Sequence, residues 1–195
     1  VLSGSLPPGF GDDTYANLVS ELQAAGLRCL VDASGAALLR AMRARPFLIK
    51  PNRDEAAALL GSPVAQVADA AAAVRALAAQ GVAMPVLSLG ADGVVAAVAD
   101  DVLHADAELV RVGNAVGSGD CLVAGLAVGL VRGEKPEAIL RLGTACGTAN
   151  AAVGGSGYVH RADVDALLPR VRIRRISAHV DPIANFPEQD SGSRP

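Results

Sequence analysis

Tryptophan is absent from this 195-residue chain, and aromatic residues together make up only 3% of it. Base-stacking platforms need several exposed rings, so a single-stranded nucleic-acid surface is excluded. A surplus of positive charge is missing as well. Seventeen Lys and Arg stand against twenty Asp and Glu, for a net charge of −3. Without a basic field nothing holds a phosphate backbone, and no nucleic-acid partner is expected. Cysteine is scarce: Cys29, Cys121 and Cys146 are odd in number, widely spaced and set in apolar runs. They form neither a disulfide frame nor a zinc ligand set, and read as small buried hydrophobes of a reducing compartment. The longest apolar run, Cys121 to Val131, is too short to span a bilayer, and no signal peptide is visible. A cytoplasmic protein without a membrane partner is the expectation.

What the chain does have is apolar bulk: 51% hydrophobic residues against 19% charged, which excludes a disordered tail or a solvated rod. Its length suits one compact core and is short for two. Val1-Leu2-Ser3 reads as the end of a strand without a lead-in, so the chain is expected to be the C-terminal portion of a longer one. Short apolar runs at Arg28–Asp32, Pro46–Lys50 and Val86–Leu89 read as buried strands. Helical spacing fills the intervals at Asp12–Ala25, Ala36–Ala44, Arg53–Leu60 and Gln66–Gln80. That rhythm predicts an α/β three-layer sandwich, a mainly parallel sheet with helices on both faces. Val94–Val98 and Val102–His104 then read as a hairpin or edge meander. Helices follow at Ser118–Arg132, apolar nearly all round and so expected to be buried, at Pro136–Val153, and at Arg161–Val171 after Gly154-Gly155-Ser156-Gly157. Residues 1–175 read as one domain portion. Residues 176–195, polar from Ser177 with Pro182, Pro187 and Pro195, read as a mobile tail.

In such sheets ligands gather where strands end. The polar strand ends are Ser3-Gly4-Ser5, Asp32, Lys50-Pro51-Asn52, Ser88 with Gly90–Gly93, and Gly113–Asp120. Glycine, hydroxyls and a lysine are the vocabulary of phosphate binding. The last segment runs straight into a buried helix, where free backbone N–H groups form an anion cradle. A carboxylate there, Asp120, repels an anion unless it has another task. The economical task is to take a proton from a hydroxyl that attacks a phosphorus held by the cradle. The bland alternative is a glycine turn with Asp120 as a simple helix-start residue. No Gly-Lys-Ser/Thr follows, so this is not a Walker A loop, and the glycine spacing is not a Rossmann fingerprint.

Gly117-Ser118-Gly119-Asp120 resembles the GAGD/GSGD signature of the ribokinase-like (phosphofructokinase B) carbohydrate kinases. Val1–Gly9, Lys50-Pro51-Asn52-Arg53-Asp54-Glu55 and Ser88-Leu89-Gly90-Ala91-Asp92-Gly93 match further motifs of that family in the same order, over about residues 1 to 170. The 1-phosphofructokinase and tagatose-6-phosphate kinase branch is most similar. Asn114-Ala115 stands where many relatives carry Asp-Thr, which fits that branch and not a ribokinase or adenosine kinase.

The resemblance implies a ribokinase-like fold whose N-terminal part and lid precede Val1. It implies ATP-dependent phosphorylation of fructose 1-phosphate or tagatose 6-phosphate, with ATP and Mg²⁺ as cofactors and a homodimer of the full-length parent. The segment alone is expected to be a poor catalyst. Asp120 would be the general base, and the amides of Gly117, Ser118 and Gly119 the anion hole. Asn52 and Glu55 would place Mg²⁺ through water, and Lys50 would add charge near the phosphates. Ser88, Gly90, Ala91, Asp92 and Gly93 would line the nucleotide site, with Asn150 near the adenine. Ser3 and Ser5 would join Asp120 on the sugar-phosphate side. Each has a plainer alternative: Lys50 as a solvated strand end, Glu55 as a first-turn acid, Ser3 and Ser5 as turn closers, Asp92 as a turn residue. His104, His160 and His179 lack ligand spacing and read as surface or packing residues. The rival function is a catalytically silent nucleotide-binding or interaction module of the same fold.

Overall fold

The computed structural model describes residues 1–107, 113–153 and 156–176. Gly154, Gly155 and the tail from Ser177 lie outside the described residues. In chain order the elements are β1 (Leu2–Ser3), α1 (Thr14–Ala24), β2 (Leu30–Asp32), α2 (Gly35–Arg43), β3 (Leu48–Ile49), α3 (Arg53–Leu60), α4 (Val67–Ala79), β4 (Met84–Ser88), β5 (Val94–Val98) and β6 (Asp101–Ala107). Then come α5 (Ser118–Val131), α6 (Pro136–Ala152), α7 (Arg161–Leu167) and β7 (Val171–Arg175).

The strands form one sheet in sequence order. β1 to β4 pair in parallel, and β4 to β7 pair antiparallel. Five strands (β1 to β4 and β6) therefore run one way, and β5 and β7 the other. The sequence hairpin is thus an antiparallel meander added to a parallel sheet.

Side chains alternate across each strand, so neighbours divide between two cores. Val31, Ile49, Leu87 and Val95 face Val19, Leu38, Val74 and Leu77 of α1, α2 and α4. Leu30, Leu48, Val86 and Ala96 face Leu122, Leu126 and Leu140 of α5 and α6. Both faces are covered, which is why these strands read as unbroken apolar runs. α5 and α6 approach closely: a Cβ on Gly125 would lie 2.8 Å from Gly143 Cα. Only glycine permits that spacing.

Several sequence expectations are corrected. Helix α7 stops at Leu167 rather than Val171, because Pro169 cannot continue it and a 3₁₀ turn, Leu168–Arg170, intervenes. Val171–Arg175 is a strand paired with β6, which itself reaches Ala107 instead of ending at His104. Helix α5 is not buried all round, since Val128 and Val131 are 42% and 87% exposed. Ile176, grouped with the tail by composition, donates its N–H to Val102 O. The three cysteines are buried and free, and among the described residues no helix is long and apolar enough to cross a membrane.

Candidate active site

Parallel pairing carries the ends of β1, β2 and β3 to one edge of the sheet, and the start of α5 meets them there. Gly4 N–H donates to Asp32 O at 2.9 Å, closing the β1 turn over β2. The Tyr15 hydroxyl of α1 braces the same turn from below, 3.2 and 3.1 Å from Ser3 O and Gly4 O. Ser3 Oγ donates to Asp120 Oδ1 at 3.1 Å, joining residues 117 apart in sequence. Ser3, Gly4, Ser5, Asp32, Glu55 and Asp120, with Ala33 and Ser34, line a cleft of about 190 Å³.

Lys50 ends β3 inside the protein, 5% exposed, with Nζ 3.1 Å from Asp32 Oδ1. A buried ammonium needs such a partner. Its position under α5 is tight: a Cβ on Gly119 would lie 3.2 Å from Lys50 Nζ. Burial pushes the Asp32 carboxyl up, Lys50 opposes this, and the charges of Asp120 and Glu55 add to the rise. Three carboxylates thus line one cleft, with the Lys50 ammonium buried against one of them. Asp32 carried no role in the sequence reading, although its position as a polar strand end was the signal.

Helix α5 begins without a side-chain cap. Its N-cap is Gly117, at φ +81°, and a Cβ there would lie 2.3 Å from Gly157 N. That pairing of left-handed backbone and close approach requires glycine. The Ser118 N–H donates to Ala115 O at 3.1 Å. It is therefore not available to an anion, which corrects the set of amides expected from sequence. Among the described residues the N–H groups of Gly117, Gly119 and Asp120 have no protein acceptor. The open donors of the first helical turn are those of Gly119 and Asp120.

Asn52 and Glu55 are brought together, first of all by helix α3. Asn52 Oδ1 accepts from Glu55 N–H and Glu55 Oε2 accepts from Asn52 N–H, both at 2.9 Å, a capping box. Glu55 also lines the cleft. Ser88 to Gly93 lie on the far side of Asn52 and line no part of this cleft. Ser88 N–H donates to Pro51 O at 3.1 Å, and Gly90–Asp92 forms a 3₁₀ turn. The Asp92 carboxylate pairs with Arg53, whose other nitrogen donates to Val64 O and Ala65 O.

Asn150 requires correction. It is 0% exposed, and its carboxamide is hydrogen-bonded to Val116 O, Ser118 Oγ and Tyr158 N–H. It is sealed beneath the Gly117–Ser118 turn and presents nothing to an adenine. His104 is a buried packing residue, as expected. A larger groove of about 460 Å³, bordered by Arg132, Ala138, Arg141 and Leu168, lies at the opposite end of α5 and holds none of the expected site residues.

The model of the pfkB family carbohydrate kinases matches residues 1–161. The 1-phosphofructokinase of Xanthomonas campestris pv. campestris is 41% identical over 150 residues, which are 74% of this chain and 47% of that protein. Among solved structures, phosphofructokinase-2 from Escherichia coli in complex with potassium has a TM-score of 0.81 at 30% identity, over 86% of this chain and 55% of that one. The same protein in complex with substrates and products has a TM-score of 0.79 at 29% identity, over 87% and 58%. The chain spans about half the length of the relatives it matches.

Proposed function

The chain belongs to the pfkB family of carbohydrate kinases, and from that premise we propose that its site transfers the γ-phosphoryl group of ATP to a hydroxyl of a ketohexose phosphate. One observation carries the reading. The Asp120 carboxylate, oriented by Ser3, stands on the same helical turn as the open Gly119 and Asp120 amides, with the Lys50 ammonium beneath. A base and an anion cradle separated by one turn of backbone are the parts that an in-line transfer needs.

The acceptor hydroxyl gives its proton to the Asp120 oxygen not held by Ser3. Its oxygen forms the new bond to the γ-phosphorus as the bond to the β-phosphate oxygen breaks, and ADP leaves with that electron pair. The amides of Gly119 and Asp120 hold the charge on the transferring group in place, and the turn Ser3–Ser5 walls the acceptor side.

The donor set fits Mg²⁺. Asp32, Glu55 and Asp120 face one cleft, and the Asp32 carboxyl is raised chiefly by burial, with smaller additions from the charges of Asp120 and Glu55. Among the described residues no group of three or more His, Cys, Asp or Glu is placed to hold a metal by itself; Mg²⁺ is commonly held by one or two carboxylates together with phosphate and water oxygens. Glu55, with Asn52 behind it, would hold it through water, and Mg²⁺ would neutralise the charge on the β- and γ-phosphates.

The 41% identity to a 1-phosphofructokinase favours fructose 1-phosphate over tagatose 6-phosphate. A cytoplasmic location and a homodimer of the intact protein belong to the same reading. The test is ADP release by the intact protein with Mg·ATP and, in turn, fructose 1-phosphate, fructose 6-phosphate and tagatose 6-phosphate. Sugar-dependent release supports the kinase. ATP binding without release on any of the three would leave the silent nucleotide-binding module.

A further inference from the structure

Asn150 sits near the end of α6, far in sequence from every residue assigned to chemistry, and is wholly buried. Burying a carboxamide is unfavourable unless its donors and acceptor are matched. Here they are. Nδ2 donates to Val116 O and to Ser118 Oγ, both at 2.9 Å, and Oδ1 accepts from Tyr158 N–H at 3.1 Å. One side chain therefore ties together the turn before α5, the first residue of α5 and the segment that follows α6.

The partners matter because α5 cannot secure its own start. Gly117 at the N-cap has no side chain, and no side-chain cap bond is present there. What holds the turn comes from α6: Asn150 grips its end, and Ala151 O accepts the N–H groups of Gly113 and Asn114 at its beginning, at 2.7 and 3.3 Å. The segment beside Gly117 is set by the same residue, since Gly157 touches Gly117 and Tyr158 bonds Asn150. The backbone of the Gly113–Ser118 turn is thus held from α6, while Ser3 of β1 reaches only the Asp120 carboxylate.

We propose that Asn150 is a positioning residue for phosphoryl transfer, fixing the Gly117–Asp120 turn so that the Gly119 and Asp120 amides and the Asp120 carboxylate keep one geometry. It touches neither substrate. The proposal rests on the kinase reading above, because an anion cradle must be preorganised to favour a transition state over a ground state. A misplacement near 1 Å in such a site costs on the order of 100-fold in rate.

Asn150→Asp keeps the shape and the acceptor for Tyr158 and removes both donors. In the intact protein its kcat is expected to fall about 30- to 100-fold while KM for ATP stays within about threefold. Affinity for Mg·ADP with aluminium fluoride, a mimic of the transferring phosphoryl group, is expected to fall in proportion to kcat while ATP affinity holds. A folded variant whose kcat stays within about threefold of the parent overturns the proposal. So does an equal loss of affinity for ATP and for the mimic, which would mark a uniform contact or a general loss of structure. Asn150→Ser, which keeps one donor, is judged by the same criteria if Asn150→Asp does not fold. A parent protein without turnover on any sugar phosphate would sink the kinase reading instead. In that event the Gly119 and Asp120 amide resonances decide the brace: unaltered in the variant, they overturn it too.

Discussion

Asp120 has two carboxylate oxygens and one of them is already held. The Ser3 hydroxyl at 3.1 Å holds Oδ1, which leaves the other oxygen as the one without that partner. Asp120→Asn keeps that geometry and removes the proposed base. Turnover is expected to fall about 10²- to 10⁴-fold with ATP affinity unchanged by calorimetry, and turnover above about a tenth of the parent would remove Asp120 from the role. Asp32 makes a different prediction. Burial raises its carboxyl in the folded state, aided by Asp120 and Glu55 and opposed by Lys50. The native state therefore holds this proton more tightly than the unfolded chain does. The contribution to stability is present below the unfolded value, roughly pH 3.9, and declines as pH rises through the folded one. Chemical denaturation across that window should show Asp32→Asn with a less negative slope against pH than the parent; identical slopes would mean that Asp32 is not the group.

Along β6 and β7 the sign reverses. Burial works against the charged form of Asp106, but the hydrogen bond from Arg172 and the charges of Arg172, Arg174 and His104 outweigh it and hold the carboxyl below its ordinary range. Arg172 Nε and Arg174 Nη2 reach it at 2.8 and 2.6 Å. Beside it, His104 Nε2 lies 2.6 Å from Asp92 O and Nδ1 3.0 Å from Arg174 Nη2. A carbonyl only accepts, so the ring nitrogen facing Asp92 O is the donor of that bond. The Gly90–Asp92 turn is thereby tied to the C-terminal strand. The stabilisation from Asp106 is present above the ordinary aspartate value and lost as pH falls through the depressed one. Both arginines are largely exposed, so Asp106→Asn is expected to cost only about 1 kcal/mol at neutral pH. The gap from the parent should close in acid; a gap that persists there would assign the effect to packing. These strands were poorly legible in the sequence for the same reason. Val171-Arg172-Ile173-Arg174-Arg175 alternates as a strand should, but its arginines look like a solvated end until Asp106, 66 and 68 positions away, is seen opposite them. The apolar strands β2 to β4 needed no such partner, and their runs alone placed them.

At the scale of the whole molecule, what could be read was what topology enforces. Parallel strands must end on one edge, so Ser3, Asp32 and Lys50 were bound to meet there, and the Gly117–Asp120 turn with them. What could not be read depends on approach between elements: the Ser118 amide lost to Ala115, Asn150 sealed under the turn, and Asp92 drawn to Arg53. Size supplies the last prediction. The cleft these residues form is about 190 Å³, while sites that enclose a small ligand span roughly 300–1,000 Å³. If the site takes a ketohexose phosphate beside a triphosphate, as proposed, a cleft of that size does not enclose both, and water would compete for the phosphoryl group. Purified residues 1–195 are therefore expected to bind Mg·ATP through the α5 cradle and Lys50, yet to transfer phosphoryl to fructose 1-phosphate at least about 100-fold more slowly than the intact Xanthomonas relative under the same conditions. Orientation and water exclusion are the two terms missing, and both act on the acceptor, so the deficit should appear in sugar-dependent ADP release and not in nucleotide affinity. Turnover within about tenfold of that relative would mean that these residues close the site by themselves.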